Sequence, residues 1–243
     1  MYNINRMIKE LNPYRSAAEL FRYFSYEKDC VFLDSSLVNR LGRYSIIGVR
    51  PYLKLVKDDH GFFINGQKVS ELSFEEYLKK YLSEHKDQNE SGLPMLSGAV
   101  GYFSYEYGRK LMEVPSHKEN LVTIPDAVLV FYDMYIIEDC HEKKTYLVAN
   151  GITEDAEKLI ESVEVRLTEV LIEKEQVADR PFDIEVTPNF KKEEYKQAVD
   201  DMIRYIIEGD IYITNMTQQL EIKSNKEPLD VFYDLRENNP SPF

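Results

Sequence analysis

The run Ala127 to Ile137 constrains this chain most, because a β-prone stretch of that length needs strand partners along it. It returns through the turn Asp139–Lys144 into Thr145-Tyr146-Leu147-Val148-Ala149, which makes the two runs a hairpin. Upstream, Cys30-Val31-Phe32-Leu33-Asp34-Ser35 is β-prone and ends in polar residues. Arg43 to Val49 and Tyr52 to Val56 read as two strands joined around Pro51. Turn signals at Asp58-Asp59-His60-Gly61 and Asn65-Gly66 flank Phe62-Phe63-Ile64, so the region is a meander of hairpins. Leu96 to Tyr102 is a further strand, and its Gly98 and Gly101 allow close approach of another backbone.

Helices alternate with these strands. Ser16-Ala17-Ala18-Glu19 and Ser73-Phe74-Glu75-Glu76 have the spacing of capping boxes. The first predicts a helix over 16–26 and the second a helix with Phe74, Tyr77, Leu78, Tyr81 and Leu82 inward. Thr153 is the expected cap of a helix running to about Ile172. Lys191 to Glu208 is amphipathic, with Tyr195, Val199, Met202, Ile203, Ile206 and Ile207 on one face and Gly209 as C-cap. Gly209 to Leu220 then alternates like a strand with one strongly polar face carrying Asn215, Thr217 and Gln219. Pro228 starts a last helix that ends at Asn238-Asn239-Pro240.

Composition narrows the function. The 243 residues carry 30 Lys and Arg against 43 Asp and Glu, a net charge of −13 with no concentrated basic cluster. That argues against a nucleic-acid or anionic-membrane surface. Two isolated cysteines, Cys30 and Cys140, have neither metal-ligand nor redox-dithiol spacing. With no signal-peptide core and no apolar run of membrane length, the expected setting is the cytoplasm.

None of the standard catalytic spacings is present: no Walker loop, no Gly-x-Gly-x-x-Gly, no His-Glu-x-x-His and no Gly-x-Ser-x-Gly. His60, His85, His117 and His141 lie in turns or loops and read as solvated. Neighbouring carboxylates such as Glu75-Glu76 and Asp200-Asp201 diverge on helices and read the same way. The run from Gly101 to Arg109 holds three tyrosines, whose simplest role is packing and whose alternative is a ligand wall. Residues 173–188 change character and form the expected linker between an N-terminal domain, 1–172, and the start of a second, 189–243. So short a second domain, with Phe243 reading as the beginning of a new element, leads to the expectation of a truncated chain.

Four separated segments together resemble one enzyme family. Ser97-Gly98-Ala99-Val100-Gly101-Tyr102-Phe103-Ser104-Tyr105-Glu106, with Ile124-Pro125-Asp126, is similar to the Gly-Tyr-x-x-Tyr-Asp/Glu and Pro-Asp segments of chorismate-amination enzymes. Phe32-Leu33-Asp34-Ser35 and Gly42-Arg43-Tyr44-Ser45-Ile46-Ile47-Gly48 resemble their Leu-Leu-Glu-Ser and Gly-Arg-Tyr-Ser signatures. Gly209 to Gln218, then Leu235-Arg236 and Asn239-Pro240-Ser241-Pro242-Phe243, looks like the opening of their chorismate-binding domain. The family is component I of anthranilate synthase and of aminodeoxychorismate synthase.

The resemblance implies an α/β fold of the α+β type: antiparallel β-sheet layers, flanked by helices, around a cleft, here incomplete. It implies Mg²⁺-bound chorismate as substrate and a glutamine amidotransferase partner that supplies ammonia. The family's metal ligands and acid–base groups lie beyond the segments matched here, so no catalytic or metal residue is assigned and the chain alone is expected to be inactive. A tryptophan-type effector pocket carries over by motif to Leu33, Asp34, Ser35, Arg43, Tyr44, Asn239, Pro240, Ser241, Pro242 and Phe243. Ser and Asp suit an ammonium there, and apolar and proline faces suit an indole. Asn215, Thr217 and Gln219 would line the cleft as support. The Phe-Leu-Asp-Ser and Asn-Met-Thr-Gln-Gln spellings lean towards aminodeoxychorismate synthase, in the 4-aminobenzoate branch. The alternatives are the anthranilate branch, a stand-alone tryptophan-binding module, and a docking domain for the amidotransferase.

Overall fold

The structure, a computed structural model, describes residues 5–115, 123–169 and 185–242. The chain divides into two compact units, Met1–Leu171 with Asp234–Phe243, and Ile172–Tyr233. The linker expected over 173–188 lies outside the described residues except for 185–188, which form a strand.

The first unit is built on an eight-stranded antiparallel sheet. Its strands are β1 (Met7–Glu10), β2 (Val31–Leu33), β3 (Tyr44–Asp58), β4 (Gly61–Ile64), β5 (Gln67–Val69), β6 (Ala99–Phe103), β7 (Ala127–Asp139) and β8 (Lys144–Ala149). The main path runs β1-β8-β7-β3-β4-β5, with β2 added beside β3 and β6 beside β7. The helices are α1 (Ala17–Phe21), α2 (Phe74–Glu84), α3 (Tyr105–Leu111) and α4 (Ala156–Arg166). Antiparallel strands flanked by helices are the expected fold class.

β7 is buried on both faces, and apart from Asp133, Glu138 and Asp139 it is built of apolar and aromatic residues. Met134 and Ile136 join Ile47, Val49, Leu147 and Ala149 beneath α1 and α4. Tyr135 and Ile137 point the other way, with Ile46 and Val148, beneath the loop bearing Leu96. At the far end Leu53, Leu55, Phe62 and Phe131 pack against Phe74 of α2.

Several local expectations are corrected. The two strands expected around Pro51 are one strand, β3, with a bulge: Pro51 sits opposite Tyr132, Leu53 opposite Phe131, and Arg50 takes φ 57°. Proline lacks a ladder donor, and a bulge is where a sheet tolerates that. The strand expected from Leu96 starts only at Ala99. Thr153 does not cap α4, because its hydroxyl donates to Asp133 at 2.6 Å. Asp155 caps instead, accepting from the amides of Glu157 and Lys158. The stretch 170–172 of the expected helix is outside the described residues.

Ser73 and Glu76 form the expected capping box. Ser16 accepts from Glu19 N–H, but the Glu19 carboxylate takes Arg15 Nε at 2.8 Å instead of closing its box. That helix stops at Phe21 rather than at 26. Within the tyrosine-rich run a helix not foreseen, α3, is capped by the Ser104 hydroxyl, and Tyr107 packs towards Phe74.

The second unit holds β9 (Glu185–Pro188), α5 (Lys192–Glu208), β10 (Leu220–Lys223) and the start of α6 (Pro228–Asn238), whose last turns belong to the first unit. Gly209 ends α5 at φ 83°, as expected of a left-handed C-cap. The strand expected over Gly209–Leu220 does not form; only Leu220–Lys223 is extended and paired, antiparallel to β9. Alternation makes a strand only where a ladder partner exists, and β9 offers four residues. The apolar face of α5 is exposed at Ile203, Ile206 and Ile207. Among the described residues no helix is long and apolar enough to cross a membrane.

Candidate functional site

β2 lies antiparallel to β3, with Leu33 opposite Ile46, and this register delivers Asp34 and Ser35 beside Tyr44 and Ser45. Ser35 is almost fully buried. Its N–H donates to Ser45 Oγ at 2.9 Å and its hydroxyl donates to the Tyr44 carbonyl at 2.6 Å. Leu33 packs on the core cluster beneath, together with Tyr44.

The segment following α6 meets these residues. Asn239 N–H closes α6 onto the Leu235 carbonyl at 2.7 Å, and the chain then turns through Pro240. Ser241 N–H donates to Ser36 Oγ at 2.9 Å, while Leu37 N–H donates to the Ser241 carbonyl at 3.0 Å. Pro242 lies so close to Gly42 that a Cβ there would stand 3.1 Å from it and 2.3 Å from the Leu37 carbonyl oxygen. The glycine of the Gly-Arg-Tyr-Ser segment is therefore needed for space.

The structure thus brings Leu33, Asp34, Ser35 and Tyr44 together with Ser241 and Pro242, across some two hundred residues of sequence. Arg43 turns to Asp139 (Nη2–Oδ2 2.6 Å), with its guanidinium 4.9 Å from the Tyr44 ring centre. Phe243 is outside the described residues. Asn215 and Thr217 are exposed in non-strand backbone of the second unit. Gln219 is exposed too, and its backbone pairs with Asn189. These three thus lack the strand that would have aligned them on one face.

Three participants were not among the expected pocket residues: Ser36, Ser45 and Arg236. Arg236 Nε donates to Asp34 Oδ2 at 2.9 Å, and Ser45 Oγ stands 3.4 Å from Asp34 Oδ1. A buried carboxylate needs a cation, and the arginine of the Leu-Arg segment was the available signal.

Two carboxylates here are shifted in opposite directions. Burial pushes the Asp34 carboxyl above its usual range, with Arg236 and Ser45 opposing but not reversing it. Burial acts the same way on Asp139, but the Arg43 guanidinium and the amides of Glu142 and His141 outweigh it and hold that carboxyl low. A depressed folded pKa contributes stability that is complete above the unfolded value and lost as pH falls through the folded one. Asp139→Asn should therefore cost about 1–2 kcal/mol at pH 7, a modest figure because Arg43 is half exposed. The deficit should shrink below pH 3.8, the unshifted value, as the wild-type carboxyl is protonated. Urea unfolding of both proteins from pH 7 down to acid checks this, and a deficit that stays constant with pH would refute it.

Chemically the site offers a carboxylate and small hydroxyls between apolar and proline surfaces, and no activated nucleophile. Among the described residues no group of three His, Cys, Asp or Glu side chains could hold a metal ion. No step is assigned to the Mg²⁺ of the resembled enzymes.

Comparison with known proteins converges on one family. The sequence model described as "chorismate binding enzyme" matches residues 28–243. Anthranilate synthase component 1 of Acetivibrio thermocellus is 28% identical over 244 residues, spanning 92% of this chain and 49% of that protein. Aminodeoxychorismate synthase component 1 of Bacillus subtilis (strain 168) is 26% identical over 233 residues, spanning 89% and 47%. The crystal structure of anthranilate synthase component I from Streptococcus pneumoniae TIGR4 shares the fold, with a TM-score of 0.67, 23% identity, and 85% of this chain and 48% of that one covered. The chain spans about half the length of the curated relatives it matches. With a match that runs from just before β2 to the last residue, and so takes in both segments of the clasped site, the chain belongs to the chorismate-binding enzyme family.

Proposed function

We propose that this chain is the N-terminal part of an aminodeoxychorismate synthase component I. Such an enzyme aminates chorismate to 4-amino-4-deoxychorismate with ammonia from a glutamine amidotransferase partner. The observation that carries the reading is the family match over residues 28–243, with aminating enzymes of both branches among the relatives. The branch rests on the Phe32-Leu33-Asp34-Ser35 and Asn215-Met216-Thr217-Gln218-Gln219 spellings. The anthranilate branch is the second reading, favoured by a relative of 28% identity against 26% for the aminodeoxychorismate relative. The first unit serves as effector domain, taking an amino acid such as tryptophan between residues 33–36 and 239–242. A cytoplasmic setting and Mg²⁺ dependence of the complete enzyme belong to the same proposal.

The test is product analysis. The complete product of the reading frame is incubated with chorismate, ammonium and Mg²⁺, and the mixture is resolved with and without a lyase that releases 4-aminobenzoate. Lyase-dependent 4-aminobenzoate is expected. Fluorescent anthranilate formed without the lyase would overturn the branch, and unchanged chorismate would overturn the enzymatic reading.

A further inference from the structure

Asp34 is the acceptor through which the proposed site would hold an ammonium, yet the chain itself already supplies a cation there. Arg236 Nε lies 2.9 Å from one carboxylate oxygen and Ser45 Oγ lies 3.4 Å from the other. The Asp34 side chain is only 8% exposed, so a further cation cannot simply be added beside the guanidinium. The neighbouring polar groups are spent in the same way. Ser35 is bound within the β2–β3 pair, and Ser36 and Leu37 are bound to Ser241. Pro242 fills the space left by the missing side chain of Gly42.

We propose that Arg236 is a tethered occupant of the ammonium position, so that a free α-amino acid binds at Asp34 only by displacing it. This deepens the effector reading above and rests on it. Displacement has a structural consequence, because Arg236 lies in the same short stretch as Ser241. Losing the ion pair removes the charged tether between Asp34 and this stretch, and the Ser36–Ser241 and Leu37–Ser241 bonds that remain beside it lie at the surface. Amino-acid binding therefore loosens the attachment of this segment. A buried carboxylate without a cation is costly, and burial already raises the Asp34 carboxyl against the pull of Arg236. Removing the arginine thus creates a vacancy that a free ammonium fills favourably.

Calorimetric titration of the full chain with L-tryptophan and with N-acetyl-L-tryptophan, which lacks the ammonium, provides the test. Arg236→Met is expected to tighten L-tryptophan binding about tenfold or more, the scale of a charge-assisted hydrogen bond. It should leave N-acetyl-L-tryptophan unchanged, and Arg236→Lys should behave like wild type. Asp34→Asn in the Arg236→Met background should abolish the gain. Equal or weaker L-tryptophan binding by Arg236→Met would show a purely structural ion pair and overturn the competition alone. Absence of heat in every variant at millimolar ligand would overturn the effector reading and this inference with it. Should Arg236→Met not fold, amide exchange of the wild-type chain decides. Saturating L-tryptophan should speed exchange at Leu37 and Ser241, and unchanged or slower exchange would overturn the displacement.

Discussion

Gly101→Ala is expected to strip β6 from the sheet and lower the unfolding free energy by about 3–5 kcal/mol. Gly101 sits opposite Leu129 in the β6–β7 ladder. A Cβ at this position would stand 1.8 Å from the Val128 carbonyl oxygen and 2.9 Å from Leu129 Cα. Both are backbone atoms of the central strand, so no side chain can swing aside. The strain is spatial: Gly101 is absent from the glycines with positive φ. Gly108 is the control, since a Cβ there meets nothing within 4 Å in α3. Gly108→Ala should be neutral or stabilise by up to about 1 kcal/mol. Urea midpoints of the two variants, with amide exchange over 99–103, measure the contrast. If Gly101→Ala unfolds within about 1 kcal/mol of wild type, the close packing of β6 on β7 is wrong.

Asp133→Ala should be comparably damaging, at about 3–5 kcal/mol. Asp133 is fully buried in β7. Its carboxylate accepts from Ile152 N–H at 2.9 Å, from Thr153 N–H at 2.6 Å and from the Thr153 hydroxyl at 2.6 Å. These bonds fix the turn that aims α4 onto the sheet, where Leu159, Ile160 and Val163 are buried. Alanine leaves two backbone donors without their acceptor and opens a void in a close-packed layer. Asp133→Asn tests charge against shape: its amide must set an N–H group where an oxygen now accepts, so at least half the loss should remain. Chemical denaturation followed by circular dichroism reads both variants. Full recovery in the Asn variant would mean that volume matters there and the acceptor pattern does not.

These two positions also show why parts of the molecule were legible in advance. Gly101 was marked for close backbone approach because a glycine inside a β-prone run has few other uses. Asp133 was passed over, because its partners at 152 and 153 come near only after β7 and β8 have paired. The Ser73–Glu76 cap needs four consecutive residues and was readable; the exchange of Thr153 for Asp155 as cap of α4 was not, since the Thr153 hydroxyl is taken by Asp133. At the site, residues 33–35 and 239–242 were identified by their resemblance to family motifs. The ion pair joining them was not, because Asp34 and Arg236 are 202 residues apart and neither spelling names the other as partner.

The sequence by itself determined the hairpin of β7 and β8, the Ser73–Glu76 capping box and the Gly209 C-cap, and the set of motifs that assign the family. Each of these rests on interactions within a few residues, or on a pattern of burial that periodicity displays. Tertiary structure decided the rest. It made one bulged strand of the two around Pro51, since β7 offers a continuous partner on which proline can be absorbed. It left Ile211–Gln219 out of any ladder, since β9 pairs only with Leu220–Lys223. It also gave Asp34 a cation from within the chain, since a carboxylate that loses its water must find a charge wherever the fold brings one.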